Sequence, residues 1–97
     1  MKRYMLLHVG FERPTPEIMA AWKSWFDSTA PQTIENIGLR NGSEISRDGT
    51  KSLAMDLDAL TGFTIVSAGS LEEAQQLAAS NPFVSSIRVY EMMSHQA

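Results

Sequence analysis

His8 is the residue of this 97-residue chain best suited to acid/base chemistry. It falls near the end of the first predicted strand, and an imidazole exchanges a proton close to neutral pH. Strand alternation places it on the same face as Tyr4 and Leu6, and Tyr4 is included among the candidate ligand-binding residues. The structural alternative is a strand-end histidine that hydrogen-bonds the backbone or is half exposed. His95, the second histidine, falls in the predicted tail at residues 94–97 and is given no role.

Asp56 and Asp58 lie on a predicted loop, residues 55–61, which leads into the most clearly predicted strand. A carboxylate there could orient His8 across the sheet, so Asp56 is the predicted catalytic partner of His8; the alternative is a solvated acidic loop. Burial would lower the pKa of His8 and a nearby Asp56 would raise it, so the sign of the shift identifies the environment. The glycine and distal glutamate of an EF-hand are absent, and no metal site is expected.

Arg88 and Tyr90 share one face of the last predicted strand, where they could supply a charge and a hydroxyl to a cleft. They are therefore candidate ligand-binding residues, although ordinary surface pairs explain them equally well. Trp22, Trp25 and Phe26 fall on the apolar stripe of the first helix. That stripe is needed to cover a sheet, so the three aromatic residues are interpreted as core rather than as a ligand platform.

The composition narrows the possible classes of function. Eight basic and eleven acidic residues give a net charge of −3, which disfavours a nucleic-acid partner. The chain has no cysteine, so disulfides, thiolate metal sites and cysteine nucleophiles are excluded. The longest apolar run is far shorter than a membrane span, and no signal-peptide pattern follows the basic start. We therefore expect one soluble, cytoplasmic domain over residues 1–97, with no cofactor domain.

The first half of the chain predicts a strand over residues 3–9, followed by a capped helix. Thr15 is a suitable N-cap and Pro16 suits the first helical position. Pro31 breaks or restarts this helix, and Gly38 is interpreted as a C-terminal cap. Residues 43–53 predict a hairpin around Asp48-Gly49, a pair that suits a type I′ turn.

The second half repeats the strand, helix, strand order. Residues 63–68 form the clearest strand, and Ser70 with Glu73 forms a capping box for the second helix. Asn81-Pro82 ends that helix, and residues 87–92 predict the last strand. Two β-α-β-like halves indicate a ferredoxin-like βαββαβ sandwich with an antiparallel sheet, because each helix needs a sheet face on which to bury its apolar stripe.

Three tracts together resemble the YCII-related family and its DGPF-domain branch: residues 2–7, residues 20–26, and residues 62–66 running into 70–74. The resemblance implies a dimeric α+β barrel, in which two ferredoxin-like sheets pack face to face around a cleft. The tetrapeptide that names the branch is absent, and only Asp56 matches a residue of it, the aspartate. Members of the family resemble one another in a histidine on the first helix that pairs with an aspartate, and residues 23–26 contain no histidine.

Three hypotheses of function follow, of which the third is a purely structural dimer. The first is a small enzyme that acts without a cofactor on a small aromatic or enol-type molecule, with His8 as proton shuttle. The second is a non-catalytic small-molecule-binding or regulatory module. Convergence of His8 and Asp56 with Arg88 or Tyr90 favours the enzyme, and scattered positions favour the binding module. A homodimer is expected, because the sheet face not covered by helices would otherwise expose apolar side chains.

Overall fold

The computed structural model describes residues 1–93, so the predicted tail with His95 lies outside the described residues. The elements, in chain order, are β1 Lys2–Val9, α1 Pro16–Thr29, β2 Thr33–Gly38, β3 Ser43–Ser46, β4 Gly49–Ser52, β5 Leu60–Ala68, α2 Leu71–Ala79 and β6 Ser86–Glu91. Neither helix among these residues is long and apolar enough to cross a membrane.

Four strands form one antiparallel sheet in the order β2-β5-β1-β6. The remaining two strands, β3 and β4, pair only with each other as a hairpin inserted between β2 and β5. Without this hairpin the chain has the order βαββαβ, and its helices contribute to a core on one face of the sheet. The predicted ferredoxin-like α+β fold is confirmed.

The core lies between the sheet and the two helices. Tyr4, Leu6 and Val66 project from the central strands and are at most 1% exposed. Helix α1 adds Trp25, whose indole N–H lies 3.0 Å from the Leu77 carbonyl oxygen at the end of α2. This hydrogen bond satisfies the polar atom of a buried tryptophan and joins the two helices. The interpretation of Trp25 as a core residue is confirmed.

Both predicted helix starts are present. The Thr15 side chain accepts a hydrogen bond from the Ile18 amide at 3.2 Å, and the Ser70 hydroxyl accepts one from the Glu73 amide at 3.2 Å. The Glu73 carboxylate accepts a hydrogen bond from the Gly69 amide, one residue before the cap. The bonds from the Ile18 and Glu73 amides satisfy donors that the first helical turn leaves without partners.

Two details of the predicted middle region are wrong. Gly38 ends strand β2 rather than a helix, because the ladder with β5 outweighs any local helical preference of residues 33–38. In the β3–β4 hairpin Gly49 has a φ of +124° and Asp48 does not have a positive φ. A type I′ turn needs positive φ at both central residues, so the turn is of another type, with glycine following it.

Candidate functional site

A cleft of about 390 Å³ opens beside His8, between helix α1 and the strands β2 and β5. Its walls carry no charged side chain, and two aromatic residues of α1 form one side. The residues that line it are His8, Trp22, Phe26, Asn36, Ile37, Gly38, Thr61, Gly62, Phe63 and Thr64. The cleft is therefore an apolar, partly aromatic site with a few polar groups, which is the usual character of small-molecule sites.

A chain of hydrogen bonds orients the His8 ring. His8 Nε2 lies 2.9 Å from Thr64 Oγ1, and that hydroxyl donates to Asn36 Oδ1 at 2.7 Å. Since the single hydroxyl proton of Thr64 is directed to Asn36, Thr64 accepts from His8 Nε2–H. We assign His8 the Nε2–H tautomer on this network, which leaves Nδ1 with a free lone pair.

Burial sets the charge of His8. The residue is 6% exposed, and its Nδ1 is buried without a hydrogen-bond partner among residues 1–93. The rings of Trp22 and Trp25 meet the imidazole edge-on, with centroids 5.0 and 6.0 Å away. Desolvation lowers the pKa of His8 from 6.5 to about 4. His8 is therefore neutral at pH 7, and its environment is the buried one rather than that of an Asp56 carboxylate.

The structure places Asp56 away from His8. Asp56 is exposed on the loop before β5, where its Oδ1 accepts a hydrogen bond from the Asp58 amide at 2.9 Å. It lines a different cleft, of about 590 Å³, together with Arg88, Arg40 and Glu44. The structure therefore brings Asp56 and Arg88 to one cleft, at the base of the hairpin, and His8 to another.

Arg88 and Tyr90 lie on the opposite face of the sheet from His8. They pair with Leu7 and Met5 of β1, and directly opposed residues of antiparallel strands share a face. Tyr4 shares the face of His8 but is 1% exposed in the core, and it does not line the His8 cleft. The candidate residues thus do not share one environment, and within one chain His8 and Asp56 do not converge with Arg88 or Tyr90.

Two polar residues of the site, Thr64 and Asn36, are not among the sequence-based candidates. Thr64 is fully buried and interrupts the apolar run of β5 on its helix-facing side. Strand alternation could have identified it, because it places a polar residue on the face that is otherwise apolar. Asn36 falls in the region interpreted as helical, so the sequence does not predict its hydrogen bond with Thr64. Trp22 is half-buried and Phe26 is exposed, and both line the cleft, unlike the buried Trp25.

Comparison with known proteins identifies the fold but not a family. No family model matches the chain, and no curated protein matches it. Among solved structures it resembles 5-chloro-2-hydroxyhydroquinone dehydrochlorinase (TftG) from Burkholderia phenoliruptrix AC1100, in complex with 2,5-dihydroxybenzoquinone. The TM-score is 0.59 at 15% identity, over 97% of this chain and 95% of that chain. The two proteins share the α+β fold that the resemblance to the YCII-related family implied; the DGPF branch stays a prediction.

Proposed function

We propose that this protein binds a small, neutral aromatic or enol-type molecule in the His8 cleft. The observation that carries the proposal is the buried, unpartnered Nδ1 of a neutral histidine that lines an apolar cleft. An acceptor left unsatisfied in a buried site costs free energy, and a ligand hydroxyl that donates to it removes this cost. Trp22 and Phe26 supply apolar surface for an aromatic ring.

The same features define the charge and approach of the ligand. The cleft walls contain neither a cation nor an anion, so a charged ligand would lose its hydration without a compensating partner. Nδ1 is closed to water in this conformation. Binding therefore requires a small movement of the cleft wall, where the Trp22 ring lies 5.0 Å from the imidazole.

A cofactor-independent acid/base enzyme acting on such a molecule is the second candidate. Two observations favour it: the Thr64 hydrogen bond holds one tautomer and leaves Nδ1 as the basic atom, and the fold is that of a dehydrochlorinase whose complex contains a dihydroxybenzoquinone. However, a pKa of about 4 makes His8 a weak base at pH 7. The predicted carboxylate partner lines another cleft. The geometry therefore supports ligand binding better than proton transfer.

We expect the change His8→Phe to weaken phenol binding at pH 7 about tenfold, because one hydrogen bond to Nδ1 contributes on the order of 1.4 kcal/mol. Phenylalanine keeps an aromatic ring at the site and removes the acceptor. Isothermal titration calorimetry of both proteins with phenol and with anisole measures the change in affinity. Anisole lacks the hydroxyl donor and is the matched control, with no loss expected on the substitution.

Equal affinity of phenol for the two proteins would contradict the proposed hydrogen bond. A screen of phenolic and lactone-like compounds for turnover separates the two candidate functions. Turnover that disappears in His8→Phe, in a protein that remains folded, would establish the enzyme instead of the binding module.

We also propose that the protein is a homodimer through the sheet face opposite the helices. The apolar pairs on this face are Met5 with Ile65 and Leu7 with Phe63, whereas Tyr4 and Leu6 face the core. Met5, Leu7 and Phe63 are half-buried and Ile65 is 9% exposed. A second copy would cover the face as a third layer and form an isologous interface.

For this homodimer, light scattering at micromolar concentration should give twice the chain mass of 10.7 kDa. The substitution Leu7→Glu should produce a monomer, because it would place carboxylates in the apolar interface. Leu71→Glu is the control, since Leu71 is an exposed leucine on α2, a helix on the other side of the sheet. A wild-type monomer, or a folded Leu7→Glu protein that stays dimeric, would contradict the proposed interface.

A further inference from the structure

We infer that the ligand of the His8 cleft carries an apolar tail, which lies in a second groove along helix α1. This inference rests on the proposed function of the cleft. The groove has a volume of about 470 Å³, and the 10–14 loop, helix α1, Thr61 and Val84 line it. Trp22, Phe26 and Thr61 line both the groove and the cleft, so the two spaces adjoin along these three residues, and a movement of the Trp22 ring would connect them.

The groove exposes apolar side chains that the core does not use. Met19 is 62% exposed, Phe11 38% and Phe26 36%, whereas Trp25 on the same helix is 3% exposed. Met19, Trp22 and Phe26 follow each other at spacings of three and four residues, which aligns them along one side of α1. Helix α1 therefore carries two apolar surfaces, one packed in the core and one along the groove.

The polar groups of the groove favour an uncharged alkyl or aryl segment. The Thr61 hydroxyl lies 3.4 Å from the His8 carbonyl oxygen and donates to it. Lys23 is exposed and its ammonium lies 2.8 Å from the Asp27 carboxylate, so it already has a partner. Glu12 also lines the groove, but it is exposed, so its carboxylate can stay hydrated. The apolar part of the lining includes Phe11, Ile18 and Met19. A phenol or enol with its hydroxyl at His8 and an apolar substituent directed toward Met19 matches both spaces.

A series of 4-alkylphenols with zero, two, four and six carbons tests this geometry by titration at pH 7. The affinity should rise roughly two- to fourfold for each methylene that leaves water, up to the length of the groove. Met19→Gln should remove most of this increase, with phenol as the reference ligand in each variant. Met55→Gln, the same substitution at an exposed methionine outside the groove, should retain the increase.

Methyl NMR of labelled methionine locates the tail directly. The Met19 signal should shift with butyl- and hexylphenol, while the signal of Met5, on the opposite face of the sheet, should not. If phenol binds but longer chains bring no increase, or if the increase persists in Met19→Gln, the groove inference is overturned and the His8 proposal stands. Failure of every alkylphenol to bind would overturn the proposed function together with the groove.

Discussion

Acidification from pH 7 to pH 4 is expected to destabilise this protein by roughly 3 kcal/mol through His8 alone, because desolvation in the folded state lowers the pKa of this residue from 6.5 to about 4. Between pH 6.5 and pH 4, His8 is mostly protonated in the unfolded chain and mostly neutral in the folded chain. The stability contributed by the neutral imidazole is therefore complete above pH 6.5 and is lost as the pH falls toward 4. The other residues that line the cleft have no ionisable side chain in this range.

Urea unfolding of the wild-type protein and of His8→Phe at pH 7, 6, 5 and 4 measures this contribution as a difference. Carboxylates elsewhere affect both proteins, so their contributions cancel. The wild-type protein should lose more stability than the variant, with the largest change between pH 6 and 4, and NMR should place the imidazole titration well below 6.5. Parallel pH profiles for the two proteins, or an imidazole that titrates near 6.5, would show that His8 is hydrated.

Thr64→Val is expected to destabilise the folded protein by about 2 kcal/mol at pH 7. Valine matches the shape of threonine but cannot accept the hydrogen bond from His8 Nε2, which is 2.9 Å from the Thr64 hydroxyl. Thr64 is 0% exposed, so the imidazole N–H would be left buried without a partner. The variant also removes the group that selects the tautomer, and we expect phenol to bind more weakly as a result.

Thr64→Ser is the matched control, because it keeps the hydroxyl and removes only a methyl group. It should retain the Nε2–H tautomer, which nitrogen NMR of the imidazole distinguishes from the Nδ1–H form. Chemical denaturation gives the stability of both variants. If Thr64→Val shows the wild-type tautomer and unchanged phenol affinity, then Thr64 does not orient His8.

The sequence predicts the parts of this protein that depend on neighbouring residues. Thr15 and Ser70 cap their helices through amides three residues ahead, so a short stretch of chain contains the whole interaction. The strand at residues 63–68 and the helix end before Pro31 are recognisable for the same reason. Strand β2 is not, because residues 33–38 become a strand only through pairing with β5, more than twenty residues later.

The site depends on contacts between distant parts of the chain. His8 was identified by its chemistry, but its hydrogen bond to Thr64 spans 56 residues, and the bond from Thr64 to Asn36 spans 28. Side chains alternate between the faces of a strand, so the pairing of Arg88 with Leu7 places it away from His8. The sequence by itself thus determined both helices, the strands other than β2, and the residue capable of acid/base chemistry. The tertiary structure decided the partners of that residue, because strand register determines which side chains share a face and burial determines their charge.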